Sequence, residues 1–284
     1  MSHTDRARRL RPRHVLLAGA LALVLTGFIG WIENFFLYHP FREISATPAQ
    51  YGVPYEDVLF PASDGARLHG WYVPPVEAEG PVVLWAHGNA GNISHRSENI
   101  ALLRRETAAG VFIFDYRGYG RSEGRPGEAG LYADMRGAYA WLRGRAPAGR
   151  IFFFGRSLGA TVAVRVAAEG AEARGLILES PFVSLAEMGE LMFPFLPVRR
   201  LLVQEFDTAR WLPRVKAPLL FLHGDSDEIV PFSQGRRLYE LAPGPKRFHA
   251  IRGARHNDTY VTGGPAYWQV WREFLAAPER AVSK

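Results

Sequence analysis

One stretch of the chain has residue types spaced for nucleophilic chemistry. Gly155-Arg156-Ser157-Leu158-Gly159 places a serine between two glycines, each two positions away. It follows the apolar run Ile151–Phe154 and leads into a helical pattern, so Ser157 falls at a strand-to-helix turn. So tight a turn leaves no space for side chains two residues to either side, which is the use of the glycines. The serine hydroxyl then projects from a sheet edge at a helix N-terminus, where the helix dipole favours developing negative charge. A serine hydroxyl is a poor nucleophile at neutral pH and needs a base, and the base needs an acid to orient it. Of the nine histidines, His87 and His223 end apolar runs, whereas His256, in Gly253-Ala254-Arg255-His256, lies in a loop beyond the last one. A loop leaves a base free to swing toward Ser157, so His256 is the expected base. The acid is sought in His223-Gly224-Asp225-Ser226-Asp227-Glu228. Asp227 lies far enough past the run Leu219–Leu222 to reach the His256 loop, and Asp225 is the second choice. Chain order supports the set: serine, then acid, then histidine is one known arrangement.

Attack on a carbonyl also requires donors for the developing oxyanion. The first is expected to be the backbone N–H of Leu158. The second is expected from Asn89, in the loop His87-Gly88-Asn89-Ala90-Gly91-Asn92 after Val82–Trp85, whose glycines let amides approach a substrate oxygen. Asn92 and Ser94 can also cap the helix that follows. The segment Asp115-Tyr116-Arg117-Gly118-Tyr119-Gly120-Arg121-Ser122 lacks the Lys-Ser/Thr ending of a phosphate loop and reads as a pocket wall. No metal-ligand spacing is visible, and the chemistry requires no cofactor.

The elements that must position these residues alternate along the chain. Glu56–Phe60 and Arg67–Val73 flank Ala62-Ser63-Asp64-Gly65, a hairpin signal. The apolar runs Val82–Trp85, Val111–Phe114, Ile151–Phe154, Leu176–Leu178, Leu219–Leu222 and Phe248–Ile251 predict strands buried on both faces, as in parallel sheets. Helical patterns over Ser94–Ala108, Ala129–Gly144, Leu158–Ala168, Ser233–Leu241 and Ala266–Ala276 separate them. The class is therefore α/β, a mostly parallel sheet of about eight strands flanked by helices, with its site at the carboxyl ends of the strands. Residues 55–278 form this catalytic domain. Residues 181–217 hold many large apolar side chains and predict a short helical cap. These side chains suit an apolar acyl group or pack onto the sheet.

Taken together, the stretches around His87, Asp115, Ser157, Asp227 and His256 resemble the membrane-anchored α/β-hydrolase domain-containing proteins. That group is described as serine aminopeptidase-type hydrolases, with lysophospholipid lipases and depalmitoylases among its relatives. The resemblance spans nearly the whole chain after the expected anchor of residues 15–32. It implies the α/β-hydrolase fold, with Ser157 as nucleophile, His256 as base, Asp227 as acid, and the Leu158 and Asn89 amides as the oxyanion hole. One departure stands out: the depalmitoylase branch is anchored through palmitoylated cysteines, and this chain has no cysteine.

The remaining sequence speaks to location. Residues 15–32, VLLAGALALVLTGFIGWI, carry no charge, and Arg6, Arg8, Arg9, Arg11 and Arg13 precede them. At about 1.5 Å per residue such a run covers most of a ~30 Å hydrocarbon core. The positive-inside rule puts a basic tail (residues 1–14) in the cytoplasm and the catalytic domain on the extracytoplasmic side of the cell membrane. The signal anchor is expected to be uncleaved, since its small-x-small sites fall inside the apolar run. Trp31, Phe35, Phe36 and Tyr38 are expected at the far interface, with residues 33–54 as a connecting loop. The net charge of +6 follows largely from the N-terminal arginines and does not indicate a nucleic-acid partner. The expected activity is hydrolysis of an acyl ester or thioester, a small or lipid-like substrate. A peptidase and a non-catalytic membrane-tethered binding module are the alternatives. The sequence does not speak to oligomeric state.

Overall fold

The computed structural model describes residues 27–280. Eight strands form one sheet: β1 (Glu56–Pro61), β2 (Arg67–Val73), β3 (Val82–Ala86), β4 (Gly110–Phe114), β5 (Ile151–Arg156), β6 (Gly175–Glu179), β7 (Leu219–Gly224) and β8 (Lys246–Ile251). Their spatial order is β8-β7-β6-β5-β3-β4-β2-β1. β2 runs antiparallel to both of its neighbours, and every other pairing is parallel. β3, β4, β5, β6 and β7 are buried along their whole length, which explains why their sequences are continuous apolar runs. β8 differs from its expected burial on both faces. It is the sheet edge and most of its residues are half-buried.

Helices cover both faces. The helices that follow the strands are α2 (Ser97–Thr107), α3 (Glu128–Arg143), α4 (Leu158–Ala168), α8 (Phe232–Leu241) and α10 (Gly264–Ala276), the last preceded by the single turn α9 (Thr259–Thr262). In α3, Leu131, Met135, Ala138 and Leu142 recur at helical spacing and are buried, so one stripe of the helix meets the sheet. This face, shared with α4 and α8, holds the larger core, which includes Phe112, Phe114, Phe153 and Phe221. On the opposite face, Ile100 and Leu103 of α2 pack with Trp268, Trp271 and Phe274 of α10 against Trp85, Phe152 and Phe154. α2 starts later than the expected Ser94, because residues Ile93–Arg96 form a 3-10 turn. The Asn92 side chain caps that turn by accepting the Ser94 N–H at 2.9 Å.

Three short helices lie between β6 and β7, in the segment expected to form a cap and called the cap below: α5 (Leu185–Met192), α6 (Val198–Leu201) and α7 (Thr208–Trp211). Its apolar side chains divide into two sets. Phe182, Val183, Met188, Val198 and Phe206 are buried, while Leu191, Met192, Phe193, Phe195, Leu196, Leu201 and Val203 are exposed.

The expected anchor over residues 15–32 lies mostly outside the described residues. Among the described residues no helix is long and apolar enough to cross a membrane. Residues 33–54 are not a plain loop. Residues 27–37 are helical (α1), and Pro48–Tyr51 form a 3-10 turn. Between them, His39–Pro40 pair in parallel with Ala90–Gly91. Tyr38, expected at a membrane interface, is instead buried in the core and donates its hydroxyl to Gln204 Oε1.

Candidate active site

Ser157 sits at the end of β5 with φ 52° and ψ −120°. A positive φ is costly for a residue with a side chain and persists only where its surroundings fix it. Here the Ser157 N–H donates to Glu179 O at 2.9 Å, and the Ser157 carbonyl accepts the Ala160 N–H at 2.9 Å. The flanking glycines are required by close approach of backbone. A Cβ on Gly155 would lie 2.4 Å from Gly159 O, and one on Gly159 would lie 2.0 Å from Ala86 O. Leu158 opens α4, where the first N–H groups have no intrahelical acceptor.

The loop after β3 lies beside this turn: a Cβ on Gly88 would be 3.8 Å from Ser157 Cβ. Its carbonyls are tied from behind. Tyr116 OH donates to His87 O at 2.9 Å and Tyr119 OH to Asn89 O at 2.6 Å. Asn89 O also accepts the His39 N–H at 3.0 Å, and Asn89 Nδ2 donates to Leu37 O at 2.8 Å. No acceptor among the described residues meets the Asn89 or Leu158 N–H. The segment expected to form a pocket wall thus tethers this loop through its two tyrosines. The strap of residues 37–41, invisible as such in the sequence, holds the loop's other side.

Beyond β7 the Asp227 carboxylate is fully buried and is reached by four groups, one of them His223, whose Nε2 lies 3.4 Å from Oδ2. Its Oδ1 accepts the N–H of Ile229 at 3.0 Å and of Val230 at 2.8 Å. His256 Nδ1 lies 2.8 Å from Oδ2 and 3.0 Å from Oδ1. Burial alone would raise this carboxyl. Hydrogen bonds from His223 and His256 and the Val230 amide outweigh it and hold Asp227 well below the usual carboxylate range. An ionised carboxylate only accepts, so His256 Nδ1 carries the proton and Nε2 is left with its lone pair. Asp225 is placed elsewhere: it is exposed and accepts the Gly253 N–H at 2.7 Å. His87 and His223 are both fully buried; His223 Nε2 donates to Val230 O at 2.9 Å.

Sequence reasoning missed a buried ion pair between Ser157 and the His256 loop. Arg156 and Glu179 are register partners on β5 and β6, and Arg156 Nε lies 3.1 Å from Glu179 Oε1. The Arg156 guanidinium also donates to His256 O. Glu179 accepts from Thr259 Oγ1 at 3.0 Å and Tyr267 OH at 2.6 Å. The available signal was a charged residue at the carboxyl end of each of two wholly apolar strands.

A serine at a strained strand-to-helix turn, two free backbone amides and a histidine oriented by a buried carboxylate, all at the carboxyl ends of a mostly parallel sheet, define an α/β-hydrolase arrangement. The chain belongs to the α/β-hydrolase family. Within that class, residues 78–209 match the Hydrolase_4 family, described as serine aminopeptidase, S33. This span holds Asn89 and Ser157 and ends before Asp227 and His256. Among the relatives, an uncharacterized Mycobacterium tuberculosis protein, Rv2307c, is 40% identical over 93% of this chain and 96% of its own length. The α/β-hydrolase domain-containing protein WAV2 of Arabidopsis thaliana is 36% identical, over 82% of this chain and 83% of its own. The uncharacterized membrane protein YNL320W of Saccharomyces cerevisiae is 34% identical, over 81% of this chain and 82% of its own. Among solved structures, the Pyrococcus furiosus esterase Pf2001 shares the fold with a TM-score of 0.71 at 24% identity, covering 84% of this chain and 97% of that one.

Proposed function

We propose that the protein is a membrane-anchored serine hydrolase that cleaves carboxylic esters or thioesters of apolar acyl groups. The observation that carries this reading is His256 Nδ1 2.8 Å from the buried Asp227 carboxylate, at the same sheet edge as the positive-φ turn of Ser157. In this reading His256 Nε2 takes the Ser157 proton as Ser157 Oγ attacks the acyl carbon. The Leu158 and Asn89 amides hold the oxyanion. Collapse of the tetrahedral intermediate expels the leaving group, which takes the proton from Nε2, and leaves Ser157 acylated. Water then attacks the acyl-enzyme by the same proton route and releases the acid. Asp227 keeps the imidazole in the tautomer this requires and stabilises its charged form.

The acyl preference rests on the cap, where Phe182, Val183 and Met188 are buried in the same core cluster as Leu178 of β6. Anchoring rests on the uncharged residues 15–32 behind their arginines, and on the description of the yeast relative as a membrane protein. A second reading, hydrolysis of peptide bonds at an N-terminus, is favoured by the aminopeptidase description of the matching family. A fluorophosphonate probe tests the nucleophile. Labelling of the folded wild-type protein and its loss in Ser157→Ala is the expected result; an unlabelled wild type sinks the proposal. Turnover of aminoacyl anilides with none of acyl esters selects the peptidase reading.

A further inference from the structure

The exposed apolar side chains are not scattered. Phe28, Trp31 and Phe35 recur along one exposed face of α1, with ring centroids 6.2 Å apart for Phe28 and Trp31 and 6.4 Å for Trp31 and Phe35. The run continues through Phe36 to Phe193 of the cap, at centroid distances of 5.6 and 6.1 Å. It ends beside the exposed Met192, Leu196 and Phe195, the last 97% accessible. α1 is fixed against the cap on its other side: Glu33 accepts the N–H groups of Val203 at 2.8 Å and Gln204 at 3.0 Å, and Gln204 Nε2 donates to Asn34 Oδ1 at 2.9 Å. Helix and cap therefore present one surface, and a contiguous exposed apolar surface of this kind needs an occupant.

We propose that this surface lies in the lipid leaflet and that the acyl substrate is a membrane-resident amphiphile reaching the site from that leaflet, a proposal that rests on the hydrolase reading above for its substrate but not for its surface. Two observations select lipid over a protein partner. In the sequence, α1 (residues 27–37) overlaps the C-terminal end of the uncharged stretch 15–32, the most apolar of the chain. Aromatic side chains next to such a stretch belong at the lipid–water boundary, where ring and headgroup depth coincide. The strap then ties this surface to the site. Within two residues of the end of α1, Leu37 O and the His39 N–H hold Asn89, so the amide loop beside Ser157 sits next to the lipid-facing helix.

The absence of cysteine makes a direct test possible, because one introduced thiol takes a spin label uniquely. Full-length Phe195→Cys and Leu59→Cys are labelled and reconstituted into phosphatidylcholine–phosphatidylglycerol vesicles. Leu59 is an exposed side chain on edge strand β1. At position 195, high collision with oxygen and low collision with a water-soluble nickel chelate is expected, with the reverse at position 59. Equal, water-like accessibility at both positions overturns the proposal. So does spin–spin broadening at 195 that vanishes on dilution with unlabelled protein, which would place a second copy on the surface. In parallel, Phe195→Asp is expected to retain hydrolysis of a soluble short-chain p-nitrophenyl ester and to lose about tenfold in hydrolysis of a long-chain ester carried in vesicles. An equal rate on both overturns the route from the leaflet. A wild type inactive on both esters refutes the hydrolase reading and with it the substrate, while the collision measurement still decides the surface.

Discussion

Asp227 shows how much one buried carboxylate fixes. Two backbone amides and two histidines surround it, and their combined pull on its charge exceeds the cost of burial. The consequence for acid stability has a definite sign. A carboxyl held below its unfolded value of about 4 stabilises the fold fully above that pH, and this contribution is lost as pH falls further. Thermal unfolding followed from pH 7 to pH 3 is expected to show a steeper loss below about pH 4 for the wild type than for Asp227→Asn, which lacks the titrating group. The same substitution should lower kcat by about 10⁴ with little change in KM, because an amide can present its N–H to Nδ1 and reverse the imidazole tautomer. Burst and steady-state kinetics on a p-nitrophenyl ester read this out. Reach alone pointed to Asp227 over Asp225; in the structure Asp225 meets the Gly253 N–H and Asp227 meets the His256 ring.

At the scale of elements, the pair of adjacent strands β5 and β6 carries Ser157 and steers the histidine loop. Arg156 spans the two strand ends and holds His256 O, and Glu179 is saturated by Arg156, Thr259 and Tyr267. Removing one partner of a buried ion pair leaves the other charge uncompensated, at a cost of about 3–5 kcal/mol. Glu179→Gln keeps the shape and the acceptor but loses the charge. It is expected to lower stability in chemical denaturation and to lower kcat by about tenfold or more while KM holds, because the His256 loop loses its mooring while the rest of the site keeps its contacts. Unchanged kcat in a folded Glu179→Gln protein would show that the pair is structural only. Each strand was legible as an apolar run or a hairpin arm, to within a residue or two of its observed ends. The pairing of Arg156 with Glu179 was not legible, because it depends on which strands become neighbours and in what register.

The whole molecule adds the N-terminal segment to the site. Residues 33–54 looked like a connector because three prolines interrupt them, yet their order comes from distant partners: Glu33 on the cap, Tyr38 on Gln204, and Phe41 on Gly91 and Gly120. Local propensity cannot reveal contacts of that range. A chain beginning at residue 27 is expected to melt within about 3 °C of the full-length protein. One beginning at residue 42 should melt about 10 °C lower and lose ester turnover, since it lacks several hydrogen bonds worth about 1 kcal/mol each and the mooring of Asn89. Differential scanning calorimetry with an activity assay on both truncations checks this.

The strap also sets an order of events. His39 and Pro40 must find Ala90 and Gly91, and Glu33 must find Val203 some 170 positions away. Closing the loop between Glu33 and Val203 costs more conformational entropy than any strand pairing of the sheet, the most distant of which joins Val82 to Ile151. The contact of α1 with the segment between β6 and β7 is therefore expected to form after the sheet. The loop beside Ser157 thus gains its hold from Leu37 and His39 only once that N-terminal segment has docked.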